Sequence, residues 1–425
     1  MKKTLKLISL LLSLAIILAF AGCGKKAEPQ ADTSTGNSAS DVKIGIILVG
    51  DENEGYTYAH IQGIKEAAKA LNIDDNQIIW KYSVGEDESC YDAAADLVDK
   101  GCSAVFSNSY GHQSYMVQAA EEFPEVQFVS MTGDTAAVCG LDNISNAFTK
   151  VFESRYVSGV VAGMKLASLV EENALDSQKN YDADGNIKIG YVGAYPYAEV
   201  VSGYTAFYLG IKSIVENVAM EVTYTNSWFD ITAEGEAANR LMADGCVIIG
   251  QHADSTGAPA AVQAALEKGN VAYSVGYNVD MLETAPDAAL TSATNNWSVY
   301  YKYALGCVVN GEKIDTNWAE GYSKDAVAIT KLGASCAEGT QEKVDEIVSQ
   351  IKAGTLHVFD IDTFTVDGAK IESHKFDFST MNSDFSAVLY EGPTEEVITD
   401  GYFNESYFRS APYFDLRIDG ITELQ

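Results

Sequence analysis

The chain has 425 residues and sets 28 lysines and arginines against 60 aspartates and glutamates, a formal net charge of −32 at pH 7. A field of that sign repels nucleic acid and anionic lipid surfaces, and it argues against a polyanionic ligand unless a local basic pocket exists. At roughly 100–200 residues per domain, the length predicts two or three domains with ample core.

The first element is a leader. Lys2, Lys3 and Lys6 flank the start of an almost wholly apolar run, Leu5 to Phe20, and Ala21-Gly22 puts small residues just before Cys23. This is the grammar of a bacterial lipoprotein signal over 1–22, with Cys23 as the lipidated residue. Phe20 stands where such signals usually carry Leu. A plain secretory signal or an anchor helix is the rival reading, although the run is near the short end for a spanning helix. Residues 24–40, GKKAEPQADTSTGNSAS, are small and polar and cannot bury enough surface to fold. They read, with Cys23, as a flexible tether over 23–40. The expectation is a body held by lipid on the extracytoplasmic face of the cell membrane.

The body shows an alternation of apolar strands and amphipathic helices. Lys43–Val49 reads as a buried strand, and Tyr58–Leu71 places Ile61, Ile64, Ala68 and Leu71 on one helical face. Strands at Gln77–Tyr82, Ser103–Ser107 and Val126–Met131 alternate with helices over 91–99 and 112–122. Arg155–Val170 is a strongly apolar helix in which Gly159 and Gly163, four apart, suggest close packing against a sheet. After a polar stretch over 171–186 the alternation restarts. Strands are expected at Ile187–Val192, Met220–Thr225, 246–250, Val271–Val275, Leu290–Thr294 and Val327–Lys331. Helices are expected over 199–215, 233–243, 258–268, Trp297–Val309 and 341–353. This predicts an α/β protein of two lobes, each a parallel sheet flanked by helices. Lobe 1 is expected to take 41–153 plus about 290–325, and lobe 2 to take 154–289 plus about 326–354. From 355 to 425 the pattern changes to short alternating segments, with a turn at Asp367-Gly368, read as a β-hairpin and loops wrapped over the body.

Besides Cys23 there are six cysteines, at 90, 102, 139, 246, 307 and 336. They are widely spaced without a CxxC pair, which speaks against a zinc site. An exported chain could pair them, but Cys246 and Cys307 sit in apolar runs that suit buried free thiols.

Ligands of open parallel sheets bind beyond the carboxyl ends of the strands. The loops there hold Gly55-Tyr56-Thr57-Tyr58-Ala59-His60, Asn108-Ser109-Tyr110, Tyr195-Pro196-Tyr197, Asn226-Ser227-Trp228-Phe229-Asp230, Gln251-His252-Ala253-Asp254-Ser255 and Gly276-Tyr277-Asn278-Val279-Asp280. Aromatic faces stack on a flat heterocycle, and Asn and Asp read its edges. A phosphate would call for a Gly-rich loop or an arginine fork, and these loops offer neither. The candidate ligand set is Tyr56, Tyr58, Asn108, Tyr197, Trp228, His252, Asp254, Tyr277 and Asp280. Plainer roles stand beside it: helix-start packing for Tyr56 and Tyr58, core for Phe229, a helix cap for Asp230, a turn for Asp280. His252 and Asp254 lack a third metal ligand, and no cofactor is implied. An exported nucleoside hydrolase using His252, Asp254 and Ser255 is a rival function, and a receptor for a membrane sensor is another.

The strings GYTYAHIQG at 55–63, ESRYVSGVVAG at 153–163, NSWFD at 226–230, QHADS at 251–255, GYNVDM at 276–281 and NNWSVYY at 295–301 resemble the basic membrane protein family of ABC-transporter solute-binding lipoproteins. The resemblance runs in order over roughly 43–310. It implies a type I periplasmic-binding fold that closes on its ligand, capture of a purine nucleoside or nucleobase, delivery to an ABC permease, and no catalysis. Its pocket strings fall on Tyr56, Trp228, His252, Asp254 and Asp280. The Gly-Tyr-Thr-Tyr-Ala-His string looks closer to the branch for which a free base such as adenine is plausible. The arginine the family carries early in the 199–215 helix is replaced here by Val201-Ser202-Gly203-Tyr204.

Overall fold

The computed structural model describes residues 42–381 and 386–424. The leader, Cys23 and the tether lie outside the described residues. Two sheets carry the body. The first uses β1 (Ile44–Ile47), β2 (Ile78–Lys81), β3 (Ala104–Ser107), β4 (Gln127–Met131), β5 (Ile144–Thr149) and, from far along the chain, Asn317–Glu320. Its order is Asn317–Glu320, β5, β4, β3, β1, β2, and every pair is parallel. Helices α1 (Gly55–Leu71), α2 (Glu88–Asp99) and α3 (Gln113–Glu122) connect these strands.

The near-continuous apolar run at β1 has a simple cause, since both sheet faces are covered. Ile44, Ile46 and Leu48 pack with Ile61 and Ile64 of α1, while Ile47 points the other way, towards Leu97 of α2 and Met116 of α3.

Helix α4 (Val151–Glu171) carries the chain to the second sheet, built from β6 (Ile187–Gly193), β7 (Val218–Tyr224), β8 (Ile248–Gln251), β9 (Tyr273–Tyr277) and β10 (Ala289–Asn295). Helices α5 (Ala198–Lys212), α6 (Ile231–Ala243) and α7 (Gly257–Glu267) alternate with them. The order is Val327–Ile329, β10, β9, β8, β6, β7, Ile421–Glu423, parallel except for the antiparallel Val327–Ile329 edge.

The sequence reading differs from this in four places. Strands β5 and Asn317–Glu320 carry no strong apolar alternation and were not expected. The chain returns to the first unit after Asn295 rather than near 290, because β10 pairs along its length with β9. Gly159 and Gly163 approach α5, not a sheet: a methyl group at Gly159 would run into the Phe207 carbonyl. Finally, Ile421–Glu423, at the end of the expected hairpin-and-loop extension, extends the second sheet beside β7.

The chain passes between the units after β5, after β10, and again between Glu320 and Val327. The passages lie side by side. Thr149 Oγ1 donates to Asn295 Oδ1 at 2.5 Å, Lys150 N donates to Glu320 O at 2.9 Å, and Asn296 N donates to Ala326 O at 2.8 Å. Helix α8 (Trp297–Asn310) then packs on α1, with Trp297 and Tyr300 fully buried. The six cysteines beyond Cys23 are free thiols, and burial pushes Cys90 up to about 12. Among the described residues no helix is long and apolar enough to cross a membrane.

Candidate functional site

The carboxyl ends of both sheets open on one cavity of about 900 Å³. The first unit contributes Asn53 and Glu54 after β1, Asn108 and Tyr110 after β3, and Asp134 after β4. The second contributes Tyr195 and Tyr197 after β6, Trp228 after β7, His252 and Asp254 after β8, and Tyr277 at the end of β9.

Tyr56 is the second residue of α1. Its hydroxyl donates to Asn108 O at 2.8 Å, and its ring meets His60 and Trp297 edge-on at 4.5 and 6.2 Å. Burial, then the neighbouring Tyr277, Tyr301, Asp254 and Glu199, pushes its phenol well above the usual range, so it stays neutral. The Asn108 amide is already committed: Oδ1 accepts from Val49 N at 2.9 Å and Nδ2 donates to Thr57 Oγ1 at 3.0 Å. Asn108 is thereby fixed in the wall, with one acceptor site on Oδ1 and one N–H on Nδ2 beyond these two bonds.

Asp254 is buried, and Asn278 Nδ2 donates to its Oδ1 at 2.7 Å. Burial first, then the carboxylates of Glu54 and Glu234, raises its pKa well above the usual carboxylate range. Asp254 thus holds its proton to higher pH than a free aspartate does. Glu54 is also raised, chiefly by burial, against the hydrogen bond it takes from Thr57.

His252 donates from Nε2 to the Glu199 carboxylate at 2.7–2.8 Å, and Tyr191 Oη lies 3.4 Å from Nδ1. Burial lowers its pKa, with Glu199 opposing and the Arg155 cation assisting, so the contact is a hydrogen bond from a neutral imidazole. Arg155 lies over the Tyr277 ring, 3.6 Å from its centroid, and Nη1 donates to Gln251 O at 2.6 Å.

At the other end of the cavity aromatic rings converge. Tyr195 and Tyr197 stack at 5.1 Å, Trp228 stands edge-on to Tyr195 at 5.2 Å, and Tyr110 comes from the first unit to 6.3 Å of Tyr197.

Seven of the nine sequence candidates line this cavity: Tyr56, Asn108, Tyr197, Trp228, His252, Asp254 and Tyr277. Two do not. Tyr58 is 41 % exposed, because two residues along a helix turn a side chain about 200° away from Tyr56. Asp280 is exposed in a turn, where its Oδ1 accepts from Leu282 N at 2.8 Å. Phe229, expected in the core, is exposed and lines the cavity, whereas Asp230 caps α6 by accepting from Thr232 N and Ala233 N.

The sequence reading did not single out Glu54, Glu199 or Phe148, and it named Tyr110 and Tyr195 in the strand-end loops without taking them into the candidate set. Glu54 and Glu199 flank the starts of α1 and α5, and acids after a strand end were the available signal. His252, Asp254 and Ser255 do not form a relay. The nitrogens of His252 face Glu199 and Tyr191, and the Ser255 hydroxyl accepts from Gly257 N at 3.1 Å.

Two α/β units joined by three neighbouring passages, with one cavity between their strand ends, define a binding protein of the type I periplasmic class. Solved structures agree on that fold. A solute-binding protein of an ABC transporter from Aeropyrum pernix K1 superposes with a TM-score of 0.62 at 15 % identity, covering 75 % of this chain and 93 % of its own. One from Conexibacter woesei gives 0.57 at 20 % identity, covering 74 % and 98 %. Residues 42–362 match the family described as ABC transporter substrate-binding protein, PnrA-like. The chain belongs to that family, whose members bind small molecules outside the membrane for ABC permeases.

Among relatives, a purine-binding protein of Brucella abortus is 31 % identical over 75 % of this chain and 83 % of its own length. A Haloferax volcanii protein whose name gives it as an ABC transporter glucose-binding protein is 27 % identical over 85 % and 83 %. Basic membrane protein A of Borreliella burgdorferi is 23 % identical over 68 % and 76 %.

Proposed function

We propose that this protein captures a purine base or nucleoside between its two units and hands it to an ABC permease. The observation that carries the reading is the convergence of Tyr56, Tyr197, Trp228, Asp254 and Tyr277, from both units, on one cavity. Rings stack on the planar guest, at about 1–3 kcal/mol per base in stacking sites. Asp254, steadied by Asn278, meets a ring nitrogen or an exocyclic amine. The cavity wall also bears Asp51, Glu199 and Asp377, and Arg409, the one arginine among the described residues lining it, is already paired with Asp134, which disfavours a phosphate and so favours base and nucleoside over nucleotide. The purine-binding relative supports the ligand class.

Titration calorimetry with adenine, guanine, adenosine, inosine, adenosine monophosphate and glucose tests this. We expect binding of at least one base or nucleoside and none of the monophosphate. Heat from glucose alone would move the assignment to a sugar, a guest that aromatic rings and carboxylates also suit.

The body is tethered through lipid on Cys23. Its expected signature is incorporation of labelled fatty acid that the Cys23→Ala variant loses; equal labelling of both forms would remove the anchor.

A further inference from the structure

The family match stops at residue 362, yet one side of the cavity is built from residues beyond it: Phe376, Met381, Val388, Arg409 and Pro412 among them. This C-terminal segment is rooted in the second unit. Phe403, Tyr413, Phe414 and Ile418 share an apolar cluster with Phe207 and Tyr208 of α5 and Val222 of β7, and Ile421–Glu423 pairs with β7.

From that root it reaches across the cleft to the first unit. Arg409 Nη1 lies 3.1 Å from Asp134 Oδ2, with the two side chains only 9 % and 7 % exposed. Next to it Ser410 donates from N and Oγ to Asn317 Oδ1 at 3.3 and 3.4 Å. Both partners belong to the first unit, Asp134 just after β4 and Asn317 at the start of its edge strand. The pair is held in place on each side. Tyr110 Oη donates to the same Asp134 oxygen at 3.2 Å, and Asp134 N donates to Gln113 Oε1 at 2.9 Å. The Arg409 guanidinium lies 5.3–5.9 Å from the ring centroids of Phe376, Phe378 and Tyr413.

We infer that residues 375–381 and 386–412 supply a third wall of the ligand site, and that Arg409 and Asp134 form the tie that keeps the cleft closed round its guest. The inference rests on the reading of this cavity as the ligand site. Its physical basis is an asymmetry of buried ion pairs. Separating both charges into water regains their hydration, which offsets much but not all of an attraction reinforced here by Tyr110 and Gln113, so the tie favours closure and can still open. Removing one partner leaves the other charge buried and unpaired in the closed form, but not in an opened one, where water reaches it. A single neutral substitution therefore selects against closure, and its effect belongs in the rate of release.

Three variants test this: Arg409→Gln, Asp134→Asn and the two together. Two readouts are needed, purine release by stopped flow with adenine and adenosine, and amide hydrogen exchange of the free protein. Each single variant is expected to release its purine about tenfold faster or more, with association within about twofold of wild type. The double variant, with no orphan charge, is expected to release more slowly than Arg409→Gln alone. In free protein the single variants are expected to lose protection over 130–136 and 405–414 together. Release and exchange at wild-type rates in both single variants would overturn the tie. Should no purine bind the wild type, the proposed ligand falls, and unchanged exchange in the two segments would then overturn the tie separately.

Discussion

At the scale of single residues, position along a helix decides between pocket and solvent more strictly than residue type does. Tyr56 and Tyr58 are alike in chemistry and two residues apart, yet Tyr56 is wedged between His60 and Asn108 while Tyr58 faces water. Trp228 gives the sharper contrast. It sits half-buried against Tyr195 and Tyr197 with a face towards the cavity, and Asp254 N donates to its carbonyl at 2.8 Å. Trp228→Ala removes the ring and leaves that backbone bond, so it should weaken purine binding by about 1–3 kcal/mol, about five-fold to 150-fold in Kd, without unfolding the protein. Tyr58→Ala and Asp280→Ala should leave Kd within about twofold of wild type, since neither side chain reaches the cavity. Calorimetry on the three variants decides, and equal losses in all three would mean the guest sits elsewhere.

At the scale of elements, periodicity made most of the fold legible, and its failures have identifiable causes. Strand β5 reads Ile-Ser-Asn-Ala-Phe-Thr and is buried throughout. Its polar side chains look like loop in sequence because their partners are remote. Ser145 donates to Ile314 O, and Asn146 bonds Ala136 N and Ser130 O. A buried polar residue is tolerated when such bonds exist, and local pattern cannot reveal them. The glycines of α4 were legible as a sign of close approach but not of its partner. Only the assembled fold shows that the α4 face at Gly159 meets Gly210 of α5, where each glycine lets the other backbone come near.

At the scale of the molecule, the C-terminal segment ties its own fold to proton uptake. Glu405 is buried and accepts from Ser406 N, Tyr413 N and Phe414 N at 2.8–2.9 Å. Burial outweighs these bonds and pushes its pKa up to about 7. The folded form therefore binds this proton more tightly than the unfolded chain. The stability it contributes is full below the ordinary glutamate range near 4.5 and is lost as pH rises through about 7, a change on the order of 3 kcal/mol. Glu405→Gln sets an amide donor against backbone donors, so it should melt lower than wild type at pH 5. It should also lose the decline in melting temperature that wild type shows between pH 5 and pH 8 on this account. Thermal melts at both pH values check the pair of expectations, and an undiminished decline in the variant would assign the slope to other groups.

The sequence by itself determined the α/β alternation, the restart after residue 186 and most of the loops that line the cavity, because apolar period and strand-end position are local properties. Tertiary structure alone decided which residues of those loops share a cavity, that Glu199 turns to His252, and that residues beyond 362 complete the wall. Each of these depends on contacts between segments distant along the chain, as Asp134 and Arg409 are, and no local pattern encodes such a meeting.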